Sequence, residues 1–172
     1  MAQQFDLLFY ENPNGETPVV DFIKSLNPEM QFKMVKALDR LEMAGNHCKG
    51  DLTRKVTDTD FFELRAQNKT DISRIFFFFG DRGEIVLSNG FIKKDERPPL
   101  VRKDIARRHK KEYESRERKE RRHLPKDNCS GPRWRETFNN IIKEAEEKKD
   151  AQITDKGHNK SKGAYNYTKN HR

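Results

Sequence analysis

The sequence predicts an α+β domain in which two N-terminal helices pack on a small antiparallel sheet, followed by a basic helix and an extension. Three short runs rich in aromatic and β-branched residues, 61–65, 72–79 and 84–94, are separated by turn sequences and predict strands. Between residues 17 and 44, apolar residues recur at steps of three and four, which is typical of helices.

The charge of the chain is unevenly distributed. Its 172 residues are enough for one ordinary domain plus an extension. Residues 1–96 hold 13 Lys/Arg against 16 Asp/Glu, whereas residues 97–172 hold 23 against 12. The positive second half favours an acidic partner, with nucleic acid as the first candidate and a merely solubilising tail as the alternative.

Several classes of protein are disfavoured by the composition. The two cysteines, Cys48 and Cys129, are far apart and lack CxxC spacing, so we expect no disulfide framework, no metal site and no cofactor. Nothing at the start resembles a signal peptide, and no apolar run approaches the roughly 18 residues of a membrane span. The sequence therefore predicts a cytoplasmic protein with no membrane partner.

The N-terminal segment predicts one strand and two helices. Residues 5–10 form the first strand, and Thr17 and Asn27, each followed by proline, are expected to cap the helices. Gly45 is expected to end the second helix, and the polar residues 46–60 are predicted to form a loop. The second helix is expected to turn one apolar stripe to the core: Phe32, Val35, Leu38 and Leu41, with Met34 and Ala37 less regularly placed.

Alternation within the aromatic runs predicts which side chains share a face of the sheet. Phe62 and Leu64 fall on one face, opposite Phe61, Glu63 and Arg65. In the next run both faces are apolar, as expected for a central strand covered on two sides; one of them carries Ile72, Arg74, Phe76 and Phe78. In the last strand, strict alternation would carry Lys93 inward with Ile85, Leu87 and Phe91, so a β-bulge or the strand end is expected near Asn89 and Gly90.

A third helix is predicted after Pro98 and Pro99, and the chain is divided into a domain of residues 1–115 and a basic, largely disordered extension of residues 116–172. The apolar stripe of the third helix is expected to contain Val101 and Ile105, with Leu100 and Ala106. A short amphipathic helix is predicted over residues 133–147, with one apolar side: Trp134, Phe138, Ile141, Ile142 and Ala145.

The polar side chains of the predicted sheet suggest a phosphate-binding patch near the strand ends. They are expected to be exposed, and they are Glu63, Arg65, Arg74, Lys93 and Lys94. A cationic patch binds phosphate, and arginine can stabilise charge that develops on a phosphoryl oxygen. Two plainer interpretations remain open: Glu63 and Arg65 form only an ion pair, and Arg74 merely extends its side chain to solvent.

The runs 62–65, 72–78 and 85–94 together resemble the RelE/HigB toxin superfamily, most closely its phage-derived branch. The resemblance covers roughly residues 5–115. It implies the RelE-like α+β fold and the activity of a type II toxin, namely ribosome-dependent cleavage of mRNA under the control of a helix-turn-helix antitoxin. The implied partners are therefore mRNA on the ribosome and that antitoxin.

The resemblance also implies site residues. Arg65 and Arg74 match the paired arginines of the superfamily, and the pair Lys93-Lys94 matches its basic residues after the last strand. The chain departs from the pattern at Ser73, which replaces an aromatic residue, at Asn89, which replaces a frequent histidine, and in its additional tail. The first two departures are expected to bear on the patch.

The implied mechanism needs no metal. The 2′-hydroxyl of the RNA attacks the adjacent phosphate, Arg74 and Arg65 stabilise the phosphorane-like oxygens, and Lys93 or Lys94 holds the phosphate or moves protons. His109 and Tyr113 are the candidates for a general base, with a surface or packing role as the alternative for each. Further basic residues of the third helix are expected to bind RNA: Lys103, Arg107, Arg108, Lys110 and Lys111.

Two other functions remain open at this point. The first is a module of the same fold that binds RNA, the ribosome or an antitoxin but cleaves weakly, which the departures at Ser73 and Asn89 favour. The second is a relative of the same fold that acts on a protein target such as DNA gyrase, because a shared fold does not fix function.

Overall fold

The computed structural model describes residues 5–48, 51–69, 71–93 and 100–120, together with residues 139–141, 143, 144 and 147 of the extension. It confirms a mixed α+β architecture. In chain order the elements are β1 (Leu7–Phe9), α1 (Pro18–Ser25), α2 (Pro28–Ala44), a 3₁₀ turn (Gly45–His47), β2 (Thr53–Lys55), β3 (Phe62–Gln67), β4 (Ile72–Phe79), β5 (Ile85–Lys93) and α3 (Leu100–Glu120). Helix α3 thus continues through the predicted boundary at residue 115.

The five strands form one sheet in the order β1-β5-β4-β3-β2. Strands β2 to β5 are antiparallel neighbours, as predicted, but β1 pairs with β5 in parallel, so the prediction of an antiparallel sheet was wrong for β1. Two helices and three strands lie between β1 and β5 in the chain, so no hairpin joins them. The direction of β1 relative to β5 is therefore not fixed by a tight turn. Strand β2 was also missed, since three polar residues at a sheet edge show no alternation of hydrophobicity.

The predicted helix boundaries are confirmed. Pro18 and Pro28 open α1 and α2, and the side chain of Asn27 accepts a hydrogen bond from the Met30 backbone N–H at 2.9 Å. Thr17 precedes α1 without making a side-chain cap. Helix α2 ends at Gly45, whose φ of 56° is a conformation that favours glycine.

Helices α1 and α2 cover one face of the sheet, and their apolar side chains form the larger core with Leu64, Phe77 and Leu87. Phe32 was expected in this core but is exposed, beneath the Lys36 ammonium group at 5.5 Å. The other members of the predicted stripe are buried, and Met30, four residues before Met34, is buried with them. Methionine and phenylalanine are similarly apolar, so hydrophobicity alone does not choose between Met30 and Phe32.

Helix α3 covers the other face of the sheet. It packs on an aromatic cluster through Ala106 and Tyr113, so β4 is buried on both faces as predicted. The predicted apolar stripe of α3 was wrong at its start, because Leu100 and Val101 are 74% and 68% exposed. Apart from its apolar contacts with the aromatic cluster, the docked side of α3 carries polar side chains that bond to polar groups on or beside the sheet, so hydrophobic periodicity did not reveal it. The aromatic cluster consists of Tyr10, Val56, Phe61, Phe76, Phe78, Val86 and Phe91.

A β-bulge in β5 is confirmed next to its expected position. Phe77 pairs with Leu87 whereas Phe76 pairs with Asn89, so Ser88 is the additional residue, and the strand continues to Lys93. The bulge allows Leu87 to face α1 and α2 while Phe91 faces α3. At Gly90 a Cβ atom would lie 1.9 Å from the Phe22 ring, and glycine therefore lets α1 approach the sheet closely.

Candidate functional site

Arg65, Arg74 and Lys93 form a cationic cluster at one end of β3, β4 and β5. Arg65 and Arg74 lie directly opposite each other, Arg74 pairs with Phe91, and Lys93 lies two residues beyond Phe91. Diagonal neighbours of this kind have Cα atoms roughly 7–8 Å apart. Alternation places all three on the face that carries α3, and their shared charge makes this end of the sheet attractive to an anion.

Glu63 is the counter-ion of this cluster. Its Oε2 accepts a hydrogen bond from Arg74 Nη1 at 2.6 Å, and its Oε1 lies 3.9 Å from Arg65 Nε. Glu63 and Arg74 are only 4% and 5% exposed, so the expectation that both are exposed was wrong. They can be buried beside Phe76 and Phe91 because each neutralises the other across the strands.

The cationic cluster keeps free hydrogen-bonding capacity despite this ion pair. The Nε atoms of Arg65 and Arg74 are buried and have no hydrogen-bond partner within the described residues. Buried donors are rarely left unpaired, and such exceptions call for an explanation. The Arg65 side chain is 21% exposed, which makes it the accessible member of the arginine pair. Two opposed guanidinium groups with unused N–H donors are suited to the oxygens of a phosphate.

His109 is packed into the fold rather than directed at the cationic cluster. Its ring stacks on Tyr10 with the centroids 3.9 Å apart, and Nδ1 lies 3.0 Å from Ser88 Oγ and 3.2 Å from the Ser88 carbonyl oxygen. Burial holds the pKa of His109 below its ordinary value, although the contact with Ser88 opposes this effect. The placement favours the packing role over that of a general base.

Tyr113 is also held away from the cluster. Its hydroxyl group donates to Glu84 at 2.8 Å, and its ring contacts Phe78. Burial, together with the bond to Glu84, raises the pKa of Tyr113 far above its ordinary value. Because Phe78 is four residues from Arg74 along β4, this contact lies roughly 13 Å from the cationic cluster. Here too the placement favours packing.

The basic residues of α3 fall into two groups. Lys110 forms ion pairs with Asp60 at 2.6 Å and with Glu114. Burial disfavours its charged form, but these hydrogen bonds outweigh burial and raise its pKa, so its charge is already engaged in the fold. Arg107 is exposed and paired with Asp104. Of the other predicted RNA-binding residues, Arg108 and Lys111 are exposed and Lys103 is half-buried.

The two departures from the superfamily pattern occupy different places. Ser73 pairs with Ala66 and Ile92, and alternation places it on the α1–α2 face, so the expectation that it bears on the patch was wrong. Asn89 lies on the α3 face and is buried; its amide donates to the Arg102 carbonyl oxygen at 3.3 Å. Asn89 therefore ties the start of α3 to β5.

Long-range contacts that the sequence did not reveal fix the other end of α3. The Tyr10 hydroxyl group donates to Glu112, and burial and this bond raise the pKa of Tyr10 to about 12. Arg116 Nη1 donates to the Glu11 carbonyl oxygen at 2.7 Å. Partners about a hundred residues apart leave no local pattern, so only the structure could identify them.

Lys94, the second lysine of the predicted basic pair, lies outside the described residues. Within the described ranges, no group of three or more His, Cys, Asp and Glu residues is placed to hold a metal ion, and no helix is long and apolar enough to cross a membrane.

The structure is a small α+β domain with a cationic cluster at one end of a sheet that helices cover on both faces. Residues 21–111 match the family described as Phage derived protein Gp49-like, and since this is more than half of the chain, the protein belongs to that family. The family lies within the RelE/HigB toxin superfamily and is consistent with a toxin of a toxin–antitoxin system. No curated protein matches the chain significantly.

Proposed function

We propose that the protein is the toxin of a type II toxin–antitoxin system, with a RelE-like fold, and that it cleaves mRNA on the ribosome without a metal ion. The observation that carries this proposal is the opposed pair Arg65 and Arg74, whose buried Nε–H groups make no hydrogen bond within the part of the chain that the structure describes. The match to a family of the RelE/HigB superfamily supports it independently. A helix-turn-helix antitoxin is the proposed controlling partner.

The proposed reaction is an intramolecular displacement within the RNA. The 2′-hydroxyl gives up its proton to water and its oxygen forms a bond to the adjacent phosphorus. The bond from that phosphorus to the 5′-oxygen of the next nucleotide breaks, and this 5′-oxygen takes up a proton from water. The products are a 2′,3′-cyclic phosphate and a 5′-hydroxyl end. Arg65 and Arg74 donate to the phosphorane-like oxygens, where such preorganised donors have their largest effect. Lys93 and Lys94 hold the scissile phosphate or move protons.

Glu63 acts as a positioning residue in this proposal. It accepts a hydrogen bond from Arg74 Nη1 and so fixes the orientation of the Arg74 guanidinium. In this proposal the cluster supplies charge and orientation. A requirement for ribosome-bound mRNA follows, since alignment of the attacking 2′-oxygen can supply much of the rate.

The exposed basic side of α3 provides the proposed contact with the RNA backbone. Arg108 and Lys111 are exposed and are three residues apart, so they lie on the same side of the helix. Lys103 and Arg107 extend this surface, whereas Lys110 contributes little because Asp60 and Glu114 neutralise it. Contacts of this kind bind phosphate without sequence preference and weaken with salt.

A second candidate function is a module that binds RNA, the ribosome or an antitoxin and cleaves weakly. The buried ion pair between Glu63 and Arg74 favours it, because that contact already satisfies part of the Arg74 charge. The two candidates differ in a single respect, namely whether the bound RNA is cleaved at that phosphate.

Induced expression followed by mapping of RNA ends tests the proposal. Expression of the full chain should produce new 5′-hydroxyl ends within translated mRNA, and purified ribosomes carrying a defined mRNA should give the same ends, whereas free mRNA should not. Ribosome binding without new ends would favour the binding module. Growth arrest with intact mRNA and altered plasmid supercoiling would contradict both and indicate a protein target.

A further inference from the structure

One residue of the extension is part of the core. Ile141 is 4% exposed and belongs to the cluster formed by α1, α2 and their face of the sheet. The five other described residues of the predicted amphipathic segment 133–147 are all exposed: Asn139, Asn140, Lys143, Glu144 and Glu147. All six are helical. Burial on one side only is what an amphipathic helix docked on an apolar surface produces.

The sequence around Ile141 supplies a matching stripe. Trp134, Phe138, Ile141 and Ala145 follow one another at steps of four, three and four, which places them on one side of a helix. Of these, Ile141 alone lies within the described residues. A helix as short as the one predicted over residues 133–147 is marginal in isolation, so the helical residues around Ile141 need a surface to dock on.

The docked residue and the cationic cluster lie on opposite faces of the sheet. Helix α3 packs on the face that carries the cluster and ends at Glu120, whereas Ile141 is buried on the α1–α2 face. The 21 steps from Glu120 to Ile141 can span up to roughly 70 Å, so the connection can pass around the domain.

We propose that residues 133–147 bind in cis to the α1–α2 face as an amphipathic helix, with Ile141 as its central anchor. The α1–α2 face is therefore a helix-binding surface, and the occupant is the protein's own extension. In this position the helix leaves Arg65, Arg74 and Lys93 uncovered. The proposal depends on the burial of Ile141 and not on the function proposed for the cationic cluster.

Hydrogen exchange on the full-length chain tests this docking. In the wild type, the amides of residues 139–147 should exchange at least tenfold more slowly than in an unstructured peptide of the same sequence. Ile141→Asp should abolish this protection, because the anchor would bring a charge into an apolar site. Ile141→Ala, the milder variant, should reduce it measurably. Asn140→Asp is the matched control at an exposed neighbour and should change exchange less than twofold.

Two results would overturn the proposal. Residues 139–147 that already exchange at the unstructured rate in the wild type would show that the segment is not docked. Protection that rises with protein concentration, together with elution as a dimer, would show that the helix of a second copy occupies the surface. The proposal expects protection that does not depend on concentration and a monomer whose Ile141→Ala variant remains a monomer.

Discussion

Replacement of Arg74 by alanine should destabilise the fold as well as alter the cationic cluster. In the wild type the Arg74 guanidinium donates to the Glu63 carboxylate at 2.6 Å, and both side chains are almost fully buried. Arg74→Ala leaves a buried carboxylate whose nearest remaining cation in the cluster is Arg65, at 3.9 Å. Removal of one partner of a buried ion pair costs about 3–5 kcal/mol. We expect the lower end of this range, about 3 kcal/mol, because Arg65 remains.

The cost should be relieved when the stranded carboxylate is also removed. Glu63→Gln in the Arg74→Ala background replaces a buried charge by a neutral amide of the same shape. The double variant should therefore be more stable than Arg74→Ala alone, with a coupling energy of about 1–3 kcal/mol between the two sites. Urea unfolding of the wild type, the two single variants and the double variant at pH 7 gives all four free energies.

An exposed arginine provides the control for this cycle. Arg40→Ala on the surface of α2 should change the free energy of unfolding by less than about 0.5 kcal/mol. Two results would refute the reasoning that the burial of Glu63 depends on Arg74. The first is an Arg74→Ala variant as stable as Arg40→Ala, and the second is a coupling energy near zero between positions 63 and 74.

Three further predictions follow from particular contacts. Gly90→Ala should lower the free energy of unfolding in urea by about 1–3 kcal/mol, because the new Cβ atom meets the Phe22 ring. In a chain that already carries Phe22→Ala, the same substitution should cost less. An equal cost with Phe22 and with Ala at position 22 would be inconsistent with this clash. The pKa of His109 in the folded state lies below its unfolded value of about 6.5, so the stability that His109 contributes is present above pH 6.5 and is lost as the pH falls below it. His109→Gln should therefore reduce the pH dependence of the free energy of unfolding between pH 7.5 and 5.5. An unchanged pH dependence would argue against a neutral imidazole stacked on Tyr10. Lys93→Ala should weaken binding to single-stranded RNA and reduce the slope of log affinity against log salt by about 0.7, the loss expected for one phosphate contact, whereas an unchanged slope would place Lys93 outside the interface.

Local patterns predicted most of the fold. Proline after Asn27 and glycine at position 45 marked the limits of α2, because capping depends on the residue types at a few adjacent positions. Alternation predicted which residues of β3 and β4 share a face, and the position of Lys93 required the bulge that the structure shows at Ser88. These features depend on neighbours in sequence, and for this reason sequence alone could reveal them.

Burial of polar groups could not be predicted in the same way. Arg74 and Glu63 were expected at the surface because charged residues usually lie there, yet each supplies the other's counter-charge across two strands. Of the apolar residues expected to dock α3, Ala106 is buried but Leu100 and Val101 are exposed. The helix docks in addition through His109 and Tyr113, which find polar partners at Ser88 and Glu84. Pairing of this kind depends on tertiary proximity, which hydrophobic periodicity does not encode.

The rate of mRNA cleavage by Arg65→Ala tests the central claim most directly. Arg65 is the accessible arginine of the cluster, and its carboxylate contact is long, so its removal should leave the fold nearly intact. Single-turnover cleavage of a defined mRNA on purified ribosomes should slow by about 10²–10³-fold, the loss typical of one transition-state donor, while Arg40→Ala cleaves at the wild-type rate. A folded Arg65→Ala variant that cleaves as fast as the wild type would contradict the assignment of this cluster as the active site.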